Sequence, residues 1–341
     1  MATAKCPKCT PGNILLAFLG GRPNDPPVPR PSPHRPPGLP AGQDPLDGLP
    51  AEATRTNPIR QVLSDSEHGI WLYHGNSLEI LDALAGRHPD GLFDMIFADP
   101  PYFLSNGGIT CHAGRMVKVD KGAWDKSRGP EVNHEFNIEW LKRCQRVLKP
   151  NGTIWVTGTQ HVIFSVGYAM QQLGFKILND IAWEKPNPPP NLSCRYFTHS
   201  TETVLWAAKS AKSRHYFNYP LMRQIAGGKQ MKSVWRITAP RAEEKKFGKH
   251  PTQKPLALVE RCLLASTKEG DLILDPFLGG GTTAVASMEQ RRRCLGIDLD
   301  DANLKIAGKR IDQARHLFLN PKTTENRPCP DERSRSSMVT S

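Results

Sequence analysis

Met95-Ile-Phe-Ala98 is an unbroken apolar run, and it ends in Asp99-Pro-Pro-Tyr102. A strand that is apolar on both faces has to be covered on both faces. Two successive prolines can neither donate to a sheet ladder nor continue a helix, so the chain turns at residue 99. A doubly covered strand calls for helices on each side of a sheet, and the middle of the chain alternates strand and helix patterns in that way.

Strands are expected at Trp71–His74, Asp94–Ala98, Thr153–Thr157, Ile177–Trp183, Thr203–Ala207, Leu272–Asp275 and Cys294–Asp298. Helical stripes run through Leu78, Leu81 and Leu84, through Trp140, Leu141, Cys144, Val147 and Leu148, and through Val166, Ala169, Met170 and Leu173. Lys149-Pro-Asn-Gly152 stops the second of these, and Gly174 the third. A further helix covers Leu256–Ser266, and one follows each of the last two strands. The reading is an α/β domain over residues 67–318, with a seven-stranded, mainly parallel sheet.

Outside that domain the chain reads differently. The first 60 residues hold 14 of the 31 prolines, so residues 1–66 are read as a disordered, Pro-rich extension. Residues 319–341 read as a flexible tail. Ile14–Leu19 is too short to cross a bilayer, and no small-residue cleavage site follows it. The eight cysteines are scattered and suggest no disulfide framework. Cys6 and Cys9 have zinc-knuckle spacing but no second ligand pair nearby, so they are read as free thiols and no metal is expected.

The net charge is +12, and Glu184–Lys249 alone holds 13 Lys and Arg against four Glu. A polyanion is the natural partner for such a segment. Arg195, Arg214, Lys229, Lys232, Arg236 and Arg241 are the candidate contacts, with Tyr196, Tyr216, Tyr219 and Trp235 interleaved among them. Such contacts neutralise phosphates or read guanine edges, and binding through them weakens steeply with salt.

Two strand ends carry chemistry. Open α/β sheets bind ligands at the carboxyl ends of their strands. After Leu272–Leu274 comes Asp275-Pro-Phe-Leu-Gly-Gly-Gly-Thr-Thr283, a glycine turn that brings backbone close to a nucleotide-like ligand. No Gly-Lys-Ser/Thr is present, which excludes a P-loop. Asp298, at the end of the next strand, can accept from both hydroxyls of a ribose. At the other strand end, Asp99 and the carbonyl of Pro100 offer acceptors, Pro101 stiffens the turn, and Tyr102 offers a flat ring. That set suits the exocyclic amine of a planar base.

Phe97-Ala-Asp-Pro-Pro-Tyr-Phe-Leu-Ser-Asn-Gly-Gly108, His250-Pro-Thr-Gln-Lys-Pro255 and Asp275–Thr283 together resemble the S-adenosylmethionine-dependent amino-DNA methyltransferases. The order of the motifs is that of the beta class. Asn187–Glu202 is most similar to the DpnA-like branch of adenine methyltransferases, which act on GATC in restriction–modification systems. The resemblance covers about residues 70–315.

The resemblance implies a circularly permuted methyltransferase sheet with the Asp275 strand beside the Asp99 strand. It implies catalysis at Asp99, Pro100, Pro101 and Tyr102. It implies S-adenosylmethionine held by Asn76, Asp99, Asp275, Phe277, Gly279, Gly281, Thr282 and Asp298, with Thr252, Gln253 and Lys254 closing over its methionine end. Asn76 departs from the acid usual at that position, so altered cofactor affinity is expected. Double-stranded DNA is the implied partner, with single-stranded DNA, a homodimer and a cognate restriction endonuclease also in view, in a bacterial cytoplasm at the nucleoid. The implied reaction extrudes an adenine, accepts its two N6–H groups on Asp99 and Pro100, stacks the base on Tyr102, and uses no metal. The same amine geometry also serves N4 of cytosine, RNA or a protein glutamine, and an inactive DNA-binding relative would keep the fold.

Overall fold

The structure, a computed structural model, describes residues 39–47, 58–103, 109–112, 115–118, 127–248 and 252–319. Cys6, Cys9, Ser105–Gly108, His250 and Pro251 lie outside these residues, as do most of the Pro-rich segment and all of the tail after residue 319.

In chain order the elements are β1 (Arg60–Asp65), β2 (Ile70–His74), α1 (Ser77–Arg87), β3 (Phe93–Ala98), β4 (Ile109–His112), β5 (Arg115–Lys118), α2 (Pro130–Val147), β6 (Leu148–Gly158) and α3 (Ile163–Gln172). There follow β7 (Lys176–Glu184), β8 (Thr201–Ala208), α4 (Tyr219–Ile225), β9 (Val234–Arg236), α5 (Leu256–Ser266), β10 (Leu272–Asp275), α6 (Thr282–Glu289), β11 (Arg293–Asp298) and α7 (Asp301–Leu319). Among the described residues, no helix is long and apolar enough to cross a membrane.

One mixed sheet of nine strands runs in the order β1-β2-β11-β10-β3-β6-β8-β7-β9. From β2 to β6 all neighbours are parallel. β8 is antiparallel to both β6 and β7, β1 is antiparallel to β2, and β9 lies parallel to β7. All seven expected strands form, and two more extend the edges, so the count of seven is corrected to nine. β1 falls within the stretch read as Pro-rich extension. β4 and β5 pair as a separate hairpin that no sequence pattern announces. β6 begins at Leu148 rather than Thr153, with a register shift opposite β3 between Phe93 and Met95 that accommodates Pro150.

β3 shows why the sheet is covered twice. Phe93, Ile96 and Ala98 pack with Leu84, Trp140, Leu141 and Val166, under α1, α2 and α3. Met95 and Phe97 pack on the other face with Leu258, Cys262, Ala284, Leu304 and Ile311, under α5, α6 and α7. Each of these β3 side chains is at most 2% exposed. Trp155 and Trp206, opposite each other on β6 and β8, stack at 4.8 Å with an interplanar angle of 8°. Inserting β11 and β10 between β2 and β3 brings the two motif-bearing strand ends together.

Candidate active site

Asp99 leaves the carboxyl end of β3, and Asp275 ends β10, its parallel neighbour. A cavity of about 780 Å³ opens at this junction. Asp99, Pro101, Asn76, Thr252, Gln253, Lys254, Asp275, Phe277, Gly279, Thr282 and Asp298 all line it. The corner and the glycine loop, far apart in sequence, therefore share one pocket.

The Asp99 carboxylate is held by three donors. Tyr102 Oη and Thr157 Oγ1 donate to Oδ1 at 2.7 and 2.6 Å. Lys254 Nζ donates to Oδ2 at 2.6 Å and to the Thr252 carbonyl at 3.0 Å. An ionised carboxylate has about four acceptor positions, two on each oxygen. Oδ1 is therefore saturated, and Oδ2 keeps one position open toward a ligand.

Tyr102 is not the exposed platform expected from its sequence position. It is 4% exposed, does not line the cavity, and spends its hydroxyl on Asp99. Burial first, then the charges of Asp99 and Glu202, push its phenol well above the ordinary value, so it stays a donor. Lys254 Nζ lies 5.1 Å from the centroid of its ring. Pro101 and Phe103 face the cavity in its place, and Phe103 holds a left-handed backbone at φ 56°. Pro100 is buried and does not line the cavity; its ring stiffens the turn.

The Asp275 carboxylate is buried and accepts from Phe277 N at 3.0 Å and from Thr283 Oγ1 at 2.6 Å. Burial pushes its carboxyl up to about 7, with the charges of Asp99 and Asp298 acting in the same direction against those two hydrogen bonds. Asp298 accepts from Gly279 N at 2.7 Å through Oδ2 and from Asp300 N at 2.8 Å through Oδ1, tying the glycine loop to β11. Gly281 sits at φ +80°, where a Cβ would lie 2.6 Å from Ala307 Cβ, so its role is close packing of α6 on α7 rather than cavity wall. Asn76 caps α1 by accepting from Leu78 N at 2.9 Å.

Several supporting residues gave no sequence signal. Arg310, 7% exposed on α7, donates to the Gly280 carbonyl at 2.5 Å and to Thr282 Oγ1 at 3.0 Å. Thr282 Oγ1 in turn donates to the Lys254 carbonyl at 3.2 Å, so the glycine loop and the lysine on Asp99 are one network. Glu202 Oε2 lies 3.4 Å from Tyr102 Oη, and Glu202 pairs with Lys185. Phe136 and Phe277 line the cavity with ring centroids 6.5 Å apart, backed by Trp140 at 5.5 Å from Phe277.

The basic candidates divide. Arg195 and Tyr196 are exposed on the β7–β8 loop at the Asp99 end of the sheet. Arg236 ends β9 and pairs with Glu184 at 3.7 Å. The backbone N–H of Arg241 donates to Glu244, whose carbonyl accepts from Gln253 of the cavity wall. Lys229 and Lys232 are exposed between α4 and β9. Arg214 follows β8 and donates its backbone N–H to Asn151 at the opposite end of the sheet, so the fold does not bring it to the site. Trp235 is buried at 5% and packs on Trp155, which makes it core.

The cavity suits S-adenosylmethionine on its own chemistry. That molecule carries two positive groups, a ribose diol and an apolar adenine. Asp99, Asp275, Asp298, Asp300 and Asp301 line the pocket against Lys254 and Arg128, and an aromatic wall of Phe136 and Phe277 stands beside them. Gln253 Oε1 is buried on the wall without a hydrogen-bond partner, an acceptor suited to a charged donor.

Residues 93–309 match the family described as DNA methylase, N6_N4_Mtase. The chain is 57% identical over 242 residues to type II methyltransferase M2.DpnII of Streptococcus pneumoniae, covering 71% of this chain and 89% of that relative. It is 45% identical over 262 residues to type II methyltransferase M2.MboI of Moraxella bovis, covering 77% and 94%. Among solved structures, the M1.HpyAVI–SAM complex superposes with a TM-score of 0.55 at 28% identity, covering 71% of this chain and 99% of that one. The PvuII cytosine-N4-specific DNA methyltransferase shares the fold, with a TM-score of 0.56 at 18% identity over 74% and 93%.

Proposed function

The chain belongs to the N6/N4 DNA methylase family, and on that premise we propose that it methylates N6 of adenine in GATC as the modification half of a bacterial restriction–modification system. S-adenosylmethionine is the methyl donor. Support for the base comes from the aspartate that opens the Asp99 corner, since serine often stands there in N4-cytosine relatives. Support for the site and the system comes from the DpnA-like stretch Asn187–Glu202 and from the type II relatives. Reading the order of the two motifs as a circular permutation of the methyltransferase sheet belongs to the same proposal.

The observation that carries the reading is the coordination of Asp99. Oδ1 is spent on Tyr102 and Thr157, which fix the carboxylate plane, and Lys254 takes one position of Oδ2. The open position of Oδ2 accepts one N6–H, and the Pro100 carbonyl accepts the other. Two acceptors draw the amine toward tetrahedral geometry and release its lone pair from the ring. When bound, S-adenosylmethionine supplies an electrophilic methyl group on a sulfonium. Asp99 then stabilises the positive charge that develops on the amine, and the stiff proline turn holds the acceptors in place through the reaction. Phe136 and Phe277 keep the pocket wall apolar, and Asp298 offers its carboxylate to a ribose.

The test replaces Asp99 with Ala and follows methyl transfer in a single turnover. A loss of about 10²-fold or more is expected, the usual scale for removing one preorganised electrostatic partner. Wild-type turnover in this variant would refute the assignment. Sequencing of modified bases in DNA from a methylase-free host expressing the chain reads the base and the site together.

A further inference from the structure

The Asp99 corner is sunk into the protein. The Asp99 side chain is 14% exposed and the tyrosine beside it is buried. A base still stacked in a duplex cannot reach it, so the base must leave the stack, and something must hold open the gap.

The β7–β8 loop leaves the sheet beside this corner. Its neck is closed by the hydrogen bond from Lys185 N to the Ser200 carbonyl at 2.8 Å. Just inside the neck, Glu202 contacts Tyr102, which donates to Asp99, so the loop is rooted two side chains from the open carboxylate oxygen. Beyond the neck the loop faces water with three apolar side chains: Leu192 at 53%, Tyr196 at 60% and Phe197 at 95% exposure. A single exposed apolar residue needs no explanation. A phenylalanine at 95% exposure beside two other exposed apolar side chains buries almost nothing against its own chain, so folding does not account for it.

The loop is built rather than slack. The Asn191 side chain accepts from Ser193 N at 3.0 Å and from Ser193 Oγ at 2.8 Å, and it donates to the Tyr196 carbonyl at 2.5 Å. Cys194 holds φ 51° to make the turn. The Tyr196 ring lies 5.4 Å from that of His199. Exposed Arg195 sets a positive charge beside the aromatics.

We propose that Phe197 is a wedge that enters the base stack of duplex DNA where the target base has been extruded toward Asp99. The inference rests on the DNA-methylating reading above. A flat apolar ring fills the space a purine vacates and stacks on the neighbouring bases, offsetting the unstacking cost that extrusion imposes. Arg195, exposed and two residues away, sets positive charge beside it for a neighbouring phosphate.

The experiment compares wild type with Phe197→Ala and Phe197→Trp on two duplexes carrying the site the wild type methylates. One is fully paired. In the other the target base faces an abasic position, so its pairing has already been lost. Readouts are affinity, single-turnover methyl transfer, and the fluorescence of 2-aminopurine placed at the target. Phe197→Ala should lose about tenfold to a hundredfold on the paired duplex, the scale of one base–aromatic stack, along with the fluorescence rise. It should return to within about threefold of wild type on the abasic duplex, where extrusion is already cheap. Phe197→Trp should keep both activities, and the melting temperature should not move in either variant. An unchanged Phe197→Ala, or an equal loss on both duplexes, overturns the wedge. A wild-type chain that methylates single strands but no duplex overturns the wedge alone, and one that methylates neither overturns the underlying reading, which shows without any variant.

Discussion

Asp275 should make the stability of this protein depend on pH in a calculable way. Its carboxyl sits at about 7 in the folded chain against 3.8 for an ordinary aspartate, mainly because it is buried. A folded value above the unfolded one means that the folded state holds the proton more tightly. The resulting stability is full below about pH 3.8 and is lost as pH rises through about 7. Between pH 5 and pH 8 the folded state should lose about 2–3 kcal/mol through this one group, because the unfolded carboxyl is already ionised at pH 5 and the folded one gives up its proton only near pH 7. Asp275→Asn keeps the shape and one acceptor for Phe277 N but cannot ionise. Whatever fixed cost the amide brings is the same at both pH values, so only the change in the difference matters. Urea denaturation of both proteins at pH 5 and pH 8 reads it directly. The variant should gain about 2–3 kcal/mol on wild type between the two conditions. A difference that does not move with pH would refute the claim that burial holds this carboxyl up. The same logic says that a cofactor carrying a sulfonium favours the ionised form, so its affinity should rise from pH 6 to pH 8 in wild type and stay flat in the variant.

Breaking the Lys254–Asp99 pair at its lysine with Lys254→Met should cost about 3–5 kcal/mol, because it strands a largely buried carboxylate. The double variant with Asp99→Asn should recover most of that loss in chemical denaturation, and strict additivity would count against the pairing. Gly281→Ala should destabilise by about 2 kcal/mol or more, since it combines a left-handed backbone with overpacking against α7; an unchanged melting temperature would speak against the close contact. DNA affinity should fall steeply with salt, and Arg195→Ala or Arg236→Ala should shallow that slope while Arg214→Ala, at the far end of the sheet, leaves it unchanged.

The central strands are readable because burial on both faces writes itself into sequence. Met95–Ala98, Leu272–Leu274 and Cys294–Ile297 carry apolar side chains at successive positions, and only a doubly covered strand does that. β1 is not readable, because an edge strand with exposed Arg60 and Gln61 looks like any polar linker. β9 has three residues, too few for any period to show. In the site, Asp99, Asp275 and Asp298 can be found because they stand where apolar strands stop. Thr157 cannot, since a threonine inside a strand is ordinary β composition, and its bond to Asp99 exists only once β6 lies beside β3. Arg310 sits between Lys309 and Ile311 on a helix rich in charge, and only packing turns it inward to the Gly280 carbonyl. The case of Tyr102 is different: its presence is legible, but whether it offers a ring face or a hydroxyl depends on a side-chain orientation that sequence does not encode.

The seating of β10 and β11 between β2 and β3 has a consequence for how the protein is made. A ribosome delivers β2 and β3 early and the strands that belong between them more than 170 residues later. Until then the growing chain carries two hydrophobic strands whose inner edges have no neighbour, the kind of edge that recruits other chains. Premature termination before α7 would omit the arginine that grips the glycine turn, leaving an incomplete methyl-donor pocket. Synthesis order therefore completes the glycine turn only near the end of translation, once β10, β11 and α7 have all emerged.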